Sequence, residues 1–368
     1  MADSDVEIPD SDDDVEIISS SSSSDGGDVD LEDLASEAST RAPGSASSFG
    51  LSEDSFERLR LFKPPAEFYE ILRLMVRLGL LEDLLPLVLV EFFAGKAELS
   101  GAFERLFPTW VFKYDIKRDR LLQDITSAPG FITALILVFR LALTTAGGSL
   151  EAAGALMWLG TQCSSWVWLS RSKTGRSRRN AGGDRRRARV LQANCMVSRT
   201  CLLMALATAF RVIFGLEQPD SSVMVYFDVL RWIRFILNRF VDGMYSCQTY
   251  MSYFNHPCLK GSRLHGSHPM ISGLSRNHPG ATAAAKLQKV VSKKRDSAGN
   301  TKVTGGKDVK STQEYTHEFA AAVRDQFMTR ASASGEASLK PKFKGRFSHR
   351  LRDDADLASV VSYLRSLE

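Results

Sequence analysis

Cys163 lies in Leu159-Gly160-Thr161-Gln162-Cys163-Ser164-Ser165-Trp166, directly after the apolar run Ala155–Leu159. A lone cysteine is ordinarily a small buried hydrophobe. One in a Gly/Ser loop at a strand end is less ordinary, and a thiolate there is a good nucleophile whose pKa its surroundings set. Glu217, in Gly215-Leu216-Glu217-Gln218-Pro219, closes a second apolar run. A carboxyl in a closed pocket can act as an acid near neutrality; the plain alternative is a partly buried glutamate paired with one of the many arginines. Asp115 follows Gly95 by 20 residues. An acid at about that spacing hydrogen-bonds ribose hydroxyls in nucleotide-binding βαβ units. Asp124, followed by Ile125, is a further acid nine residues beyond Asp115. Taken singly, either aspartate reads as readily as a loop acid or a helix cap. The segment Val90–Ser100 has the pattern of a strand, a tight turn at Gly95 and a helix, which brings backbone N–H groups near a nucleotide-like ligand. Such a turn is also a common packing solution.

These residues need elements to position them. Leu87–Phe93 is a short, continuous apolar run of the kind that forms a buried parallel strand. Trp110–Ile116, Ala155–Leu159 and Val212–Leu216 read as further strands. Helical spacing of Phe68, Ile71, Leu72, Met75 and Leu78 predicts a helix over Phe68–Leu81, and Phe131–Leu143 and Val197–Phe210 also read as helices. Strands alternating with helices predict a doubly wound, mostly parallel α/β sheet with helices on both faces. Such sheets bind ligands beyond the carboxyl ends of their strands, where each chemical candidate falls.

Charge divides the chain. Residues 1–54 hold 16 Asp/Glu and one basic residue, Arg41; the remainder holds 46 Lys/Arg against 27 Asp/Glu, a net +19. An acidic tail on a basic body points to a polyanion-binding body, nucleic acid being the usual case; a tail that only solubilises the body is the plain alternative. Nine Lys/Arg and one acid, Asp184, fall within Arg171–Arg189, including Arg176, Arg178, Arg179, Arg185, Arg186 and Arg187. Gly175, Gly182 and Gly183 make this loop mobile on the sequence reading. Beside the candidate nucleophile, a basic loop suits clamping a phosphate backbone while a base is extruded. A solvated loop or a nuclear-localisation signal is the other reading, and a nuclear location is expected. Five cysteines, odd in number and without C-x-x-C spacing, argue against a zinc site or a disulfide framework and for a reducing compartment. Irregular histidine spacing gives no metal site. The acidic N-terminus is not a secretory signal, and the apolar runs are expected to be buried elements with no membrane involvement.

The order of these features resembles the cytosine-5 methyltransferases of the class I, S-adenosylmethionine-dependent kind. Phe93 and Gly95 match that family's Asp-Leu-Phe-x-Gly-x-Gly-Gly turn, with Ala97 and Glu98 at the later glycines. Asp124-Ile125 matches its Gly-Asp-Ile step, with Gln123 for the glycine. Cys163 aligns with the nucleophile of Gly-x-Pro-Cys-x-x-Phe-Ser, and Glu217 with the glutamate of Glu-Asn-Val. The resemblance covers about 130 residues, Leu89 to Val223. It implies a seven-stranded-type sheet and a cofactor held by Phe93, Gly95, Asp115, Asp124 and Ile125. It also implies Cys163 attack on C6 of a flipped cytosine, with Glu217 acting at N3. Lys260 and Arg263 are the nearest candidates for the family's Gln-x-Arg-x-Arg element. Gln248–Arg276 stands as a reduced substitute for a target-recognition domain. DNA is preferred over RNA as substrate; a catalytically inactive nucleic-acid-binding adaptor is the rival reading.

Three regions are expected. Residues 1–57 form an acidic, Ser/Asp-rich disordered tail, in which Val15, Ile17 and Ile18, flanked by acids and serines, resemble a SUMO-interaction motif. Residues 58–280 form the catalytic domain. Residues 281–368 form a basic, largely flexible region with a linker at Lys286–Lys310 and short helices at Gln313–Ala331 and Asp354–Leu367.

Overall fold

The computed structural model describes residues 53–146, 154–241, 243–295, 297, 301–305, 311–329 and 354–368. The expected motif at Val15, Ile17 and Ile18 lies outside them. Eight helices and eight strands carry the architecture of the described residues. They are α1 (Glu53–Leu61), α2 (Ala66–Arg77), β1 (Leu89–Phe92), α3 (Glu98–Glu104), β2 (Val111–Tyr114), α4 (Ala128–Ala146), β3 (Leu156–Leu159), α5 (Ala188–Ala209), β4 (Ile213–Pro219), α6 (Asp228–Phe240), β5 (Tyr245–Tyr250), β6 (Gly261–Gly266), β7 (Val291–Arg295), β8 (Thr301–Gly305), α7 (His317–Thr329) and α8 (Leu357–Arg365).

β1 to β6 form one sheet in the order β2-β1-β3-β4-β6-β5. β2, β1, β3 and β4 run parallel, and β6 is antiparallel to both neighbours, β4 and β5. The expectation of a mostly parallel α/β sheet is met with six strands in place of seven. Between β2 and α4 the chain passes through turns only. That stretch begins Asp115-Ile116-Lys117-Arg118-Asp119-Arg120, with no apolar run to bury as a further strand.

Each four-residue strand β1 and β3 is buried on both faces. Val90, Phe92, Met157 and Leu159 face a large core built with α1, α2, α4, α5, α6 and α8. Leu89, Leu156 and Trp158 face a smaller core with α3 and α7. Helices therefore cover both faces. The connections leaving β1 and β3 pass on opposite faces, which makes the gap between these strands the topological switch point. α4 and α5 are long and apolar enough to cross a membrane by length and composition, and 61% and 83% of their apolar windows are buried in the fold.

The core extends past the expected 58–280 span at both ends. Phe56 of α1 is buried. α7 contributes Phe319, Ala320, Val323 and Phe327 to the smaller core, and Phe327 packs on Phe103 with ring centroids 5.4 Å apart. α8 inserts Leu357, Val360, Val361 and Leu364 into the larger one. Both helices were legible as short amphipathic segments, but their docking rests on partners hundreds of residues away. One further expectation is corrected. The expected linker at Lys286–Lys310 contains an antiparallel hairpin, β7–β8, because Val291 and Val303 lie in stretches that pair backbone groups across it. Gln248–Arg276 supplies part of β5 and all of β6, so it is built into the sheet.

Candidate functional site

β1 ends in a turn strained at alternate residues: Phe93 (φ 61°), Gly95 (φ 53°) and Ala97 (φ 61°) all lie in the left-handed region. Only glycine adopts it without cost, so Phe93 and Ala97 each store on the order of 1 kcal/mol. Asp115, buried at the end of β2, accepts from the Gly95 N–H at 2.8 Å and the Lys117 N–H at 2.9 Å. Asp115, expected to meet ribose hydroxyls, is thus brought to the Gly95 turn, with both carboxylate oxygens already accepting backbone N–H groups. A Cβ added at Gly95 would meet no atom within 4 Å, so the turn faces open space.

Asp124 and Ile125 take different roles. Asp124 accepts from the backbone N–H and hydroxyl of Thr126, at 2.9 and 2.7 Å, turning the chain into α4. Ile125 is corrected as a cofactor-lining residue: its side chain is in the core, and its carbonyl accepts from Arg199 at 3.0 Å. Arg199 is fully buried in α5. It also donates to the carbonyls of Ser127, Ala355 and Asp356, tying this loop to the start of α8.

The loop after β3 is folded onto its neighbours. The Gly160 N–H donates to the Phe92 carbonyl at 3.1 Å, so the Cys163 loop and the Gly95 turn leave adjacent strands at the switch point. The Cys163 carbonyl accepts from Trp166 N–H at 2.8 Å. Trp166 is fully buried, edge-on to Phe227 at 5.2 Å. Gln218 donates to the Thr161 carbonyl at 2.7 Å, locking the Cys163 loop to the end of β4.

Glu217 lies within β4, which runs on to Pro219, two residues beyond the Glu217 at which the sequence closes its apolar run. Its Oε1 accepts from the Ser262 hydroxyl at 2.6 Å and lies 3.8 Å from Lys260 Nζ. Both side chains of that pair are about nine-tenths buried. Burial, and next the Glu217 charge, push the Cys163 thiol up to about 11, with Lys260 acting in the opposite direction. Cys163, Glu217 and Lys260 thus share one electrostatic site at the carboxyl ends of β3 and β4. Arg263, paired with Asp220 at 2.9 Å, points elsewhere.

Three further residues were not singled out in the sequence. Tyr315, just before α7, accepts from Trp158 Nε1 at 3.2 Å and reaches Gly160, where an added Cβ would come within 3.0 Å of its hydroxyl oxygen. Burial and the charges of Glu217, Glu91 and Cys163 hold its phenol neutral. Lys96, in the Gly95 turn, pairs with neighbouring Glu314 at 2.5 Å. Glu91 stands inside β1 between the sheet and α3. One carboxylate oxygen accepts from Ser100 N–H and hydroxyl at 2.7 and 2.6 Å, and the other is buried without a partner. Burial raises Glu91 to about 7. An acid inside an apolar run was the available signal for Glu91; Tyr315 had none.

The six arginines expected to bind nucleic acid separate into three groups. Arg176 is buried and structural, which corrects its assignment. It stacks 3.5 Å from the Trp166 ring and donates to Ser165, Asn194 and the carbonyls of Ala181 and Val190. The loop wraps around it, and Gly183 (φ 69°) passes so close that a Cβ would lie 2.7 Å from the Thr174 carbonyl. Gly183, and Gly175, where a Cβ would lie 3.3 Å from Asp184, therefore serve tight packing, in place of the mobility expected of them. Arg185 pairs with Asp354, and Arg186 and Arg187 with Asp184. Arg178 and Arg179 are exposed.

No protein-family model matches the chain, and no curated protein or solved structure is detectably similar to it.

Proposed function

We propose that the protein is an S-adenosylmethionine-dependent methyltransferase acting on C5 of cytosine in nucleic acid, with DNA the preferred substrate. The observation that carries this reading is the meeting of Cys163, Glu217 and Lys260 at the ends of adjacent strands. The sheet, with its one antiparallel strand set next to the edge, is compatible with the arrangement the sequence resemblance implies. The residues fit the cofactor in one respect: the Gly95 turn faces open space beside the Asp115 carboxylate. Phe93, Gly95, Asp115 and Asp124 would hold it, and bound there it supplies an electrophilic methyl group. Cys163 forms the S–C6 bond to cytosine, and the displaced electron pair enriches C5. Glu217 hydrogen-bonds N3 as that charge develops. Lys260 favours the thiolate and offsets the negative field of Glu217. After C5 is methylated and loses its proton, the S–C6 bond breaks and the thiolate leaves.

A second reading has its own observations. A thiol held near 11 is almost entirely protonated at neutral pH, and Ala97 holds a left-handed conformation where the family carries glycine. Both suit an inactive fold that binds nucleic acid as an adaptor.

Incubation of the full chain with 5-fluorocytosine-containing DNA or RNA separates the two, because fluorine blocks the release step. The expected result is a cofactor-dependent covalent adduct that disappears in Cys163→Ser. An equal adduct in Cys163→Ser overturns the mechanism. No adduct together with no S-adenosylmethionine binding by calorimetry overturns the methyltransferase reading in favour of the adaptor.

A further inference from the structure

Beside the Cys163 loop, Trp168, Arg171, Ser177, Arg178 and Arg179 line an open groove of about 500 Å³. Trp168 is 48% exposed and Tyr226, beneath the Arg178 guanidinium at 5.5 Å, is 37% exposed. Among the described residues no carboxylate pairs with Arg171, Arg178 or Arg179, whereas Arg185, Arg186 and Arg187 are all paired. Arg171 Nε is buried without an acceptor. β8 runs against the Trp168–Ser170 turn.

An exposed indole among unpaired guanidiniums matches the two parts of an unpaired nucleotide: a flat base and an anionic phosphate. Duplex DNA keeps its base faces stacked and has nothing to lay on Trp168. From this combination we infer that the groove binds single-stranded nucleic acid, stacking one base on Trp168 and holding the adjoining phosphates with Arg171, Arg178 and Arg179. Only four residues separate Trp168 from Cys163 in sequence, so the stacked base is a near neighbour of the one presented to the thiol. The inference rests on the nucleic-acid part of the proposal above and deepens it by naming an unpaired strand as substrate class.

The test uses the full chain carrying Cys163→Ser, without cofactor, so binding is read apart from methyl transfer. Fluorescence anisotropy measures affinity for thymidine and uridine strands of about 12 nucleotides, an abasic strand of equal length and a duplex. The base-bearing strands should bind about tenfold tighter than the abasic strand, as stacking of one base implies. The thymidine-to-uridine ratio then assigns DNA or RNA. Trp168→Ala should abolish that tenfold preference and keep the salt dependence. Arg178→Ala with Arg179→Ala should keep the preference and lower the slope of log affinity against log salt by about 1.4. Equal binding of the abasic strand, a duplex that binds as tightly as the single strand, or an unchanged preference in Trp168→Ala overturns the inference. Each of these outcomes leaves the covalent-adduct result standing by itself.

Discussion

The pocket at the ends of β3 and β4 and the basic loop that follows it are built on opposite terms. The pocket assembles few charges from distant parts of the chain and buries them: Glu217 and Lys260 are close but loosely paired, and Cys163 is held neutral. The loop is one continuous run of charge, yet its arginines have separate fates. Arg176 is inside, Arg185 to Arg187 are matched to aspartates, and Arg178 and Arg179 stay open. Density of like charge in sequence therefore does not measure the charge available to a ligand. Burial sets what the pocket can do chemically, and pairing sets what the loop can bind.

The sharpest test of the contrast within the loop is Arg176. Arg176→Ala leaves the Ala181 and Val190 carbonyls and the Asn194 amide oxygen without their donor and opens space beside Trp166. A loss of about 3–4 kcal/mol is expected in urea unfolding. Arg186→Ala, removing an exposed pair with Asp184, should leave the urea midpoint essentially unchanged. Equal effects of the two substitutions would break the distinction between buried and surface arginines.

On the pocket side, the largest effect should come from Glu91. Its folded pKa, about 7, is raised above an unfolded value near 4.5 by burial. The contribution of the protonated form to stability is full below about pH 4.5 and is lost as pH rises through 7. At 1.36 kcal/mol for each pH unit, the decline is about 3 kcal/mol. Glu91→Gln should flatten it, read as urea midpoints at pH 5 and pH 8. A pH slope identical to wild type would remove Glu91 as its source.

A smaller effect separates the charges around Cys163. Lys260→Met removes the charge that favours the thiolate and should slow iodoacetamide alkylation of Cys163 several-fold. Glu217→Gln should speed it by a similar factor. In both, the rate should climb with pH toward about 11. Changes in the same direction for both substitutions would show that burial alone governs the thiol.

Much of the scaffold was legible because its signals are local. The apolar runs of β1 and β3 and the 3.6-residue spacing of α2 state their own burial, and Glu217 is recognisable as an acid closing such a run. The ends of elements were less legible: α5 begins at Ala188, well before Val197, because its first turns pack on the arginine loop rather than follow an apolar stripe. Tyr315 was invisible for a related reason. It follows the basic Lys286–Lys310 stretch, and nothing near it in sequence announces that α7 docks beside α3 and carries it to Gly160.

By itself the sequence determined the alternation of strands and helices, the order of turn, acid, cysteine and glutamate along them, and the division into acidic and basic parts. All of these follow from residue type and short-range spacing. Only the tertiary structure decided which arginines are free, that Lys260 rather than Arg263 meets Glu217, that the thiol is held protonated, and that α7 and α8 belong to the core. Each depends on desolvation and on partners brought from far along the chain, and neither quantity is carried by any local stretch of residues.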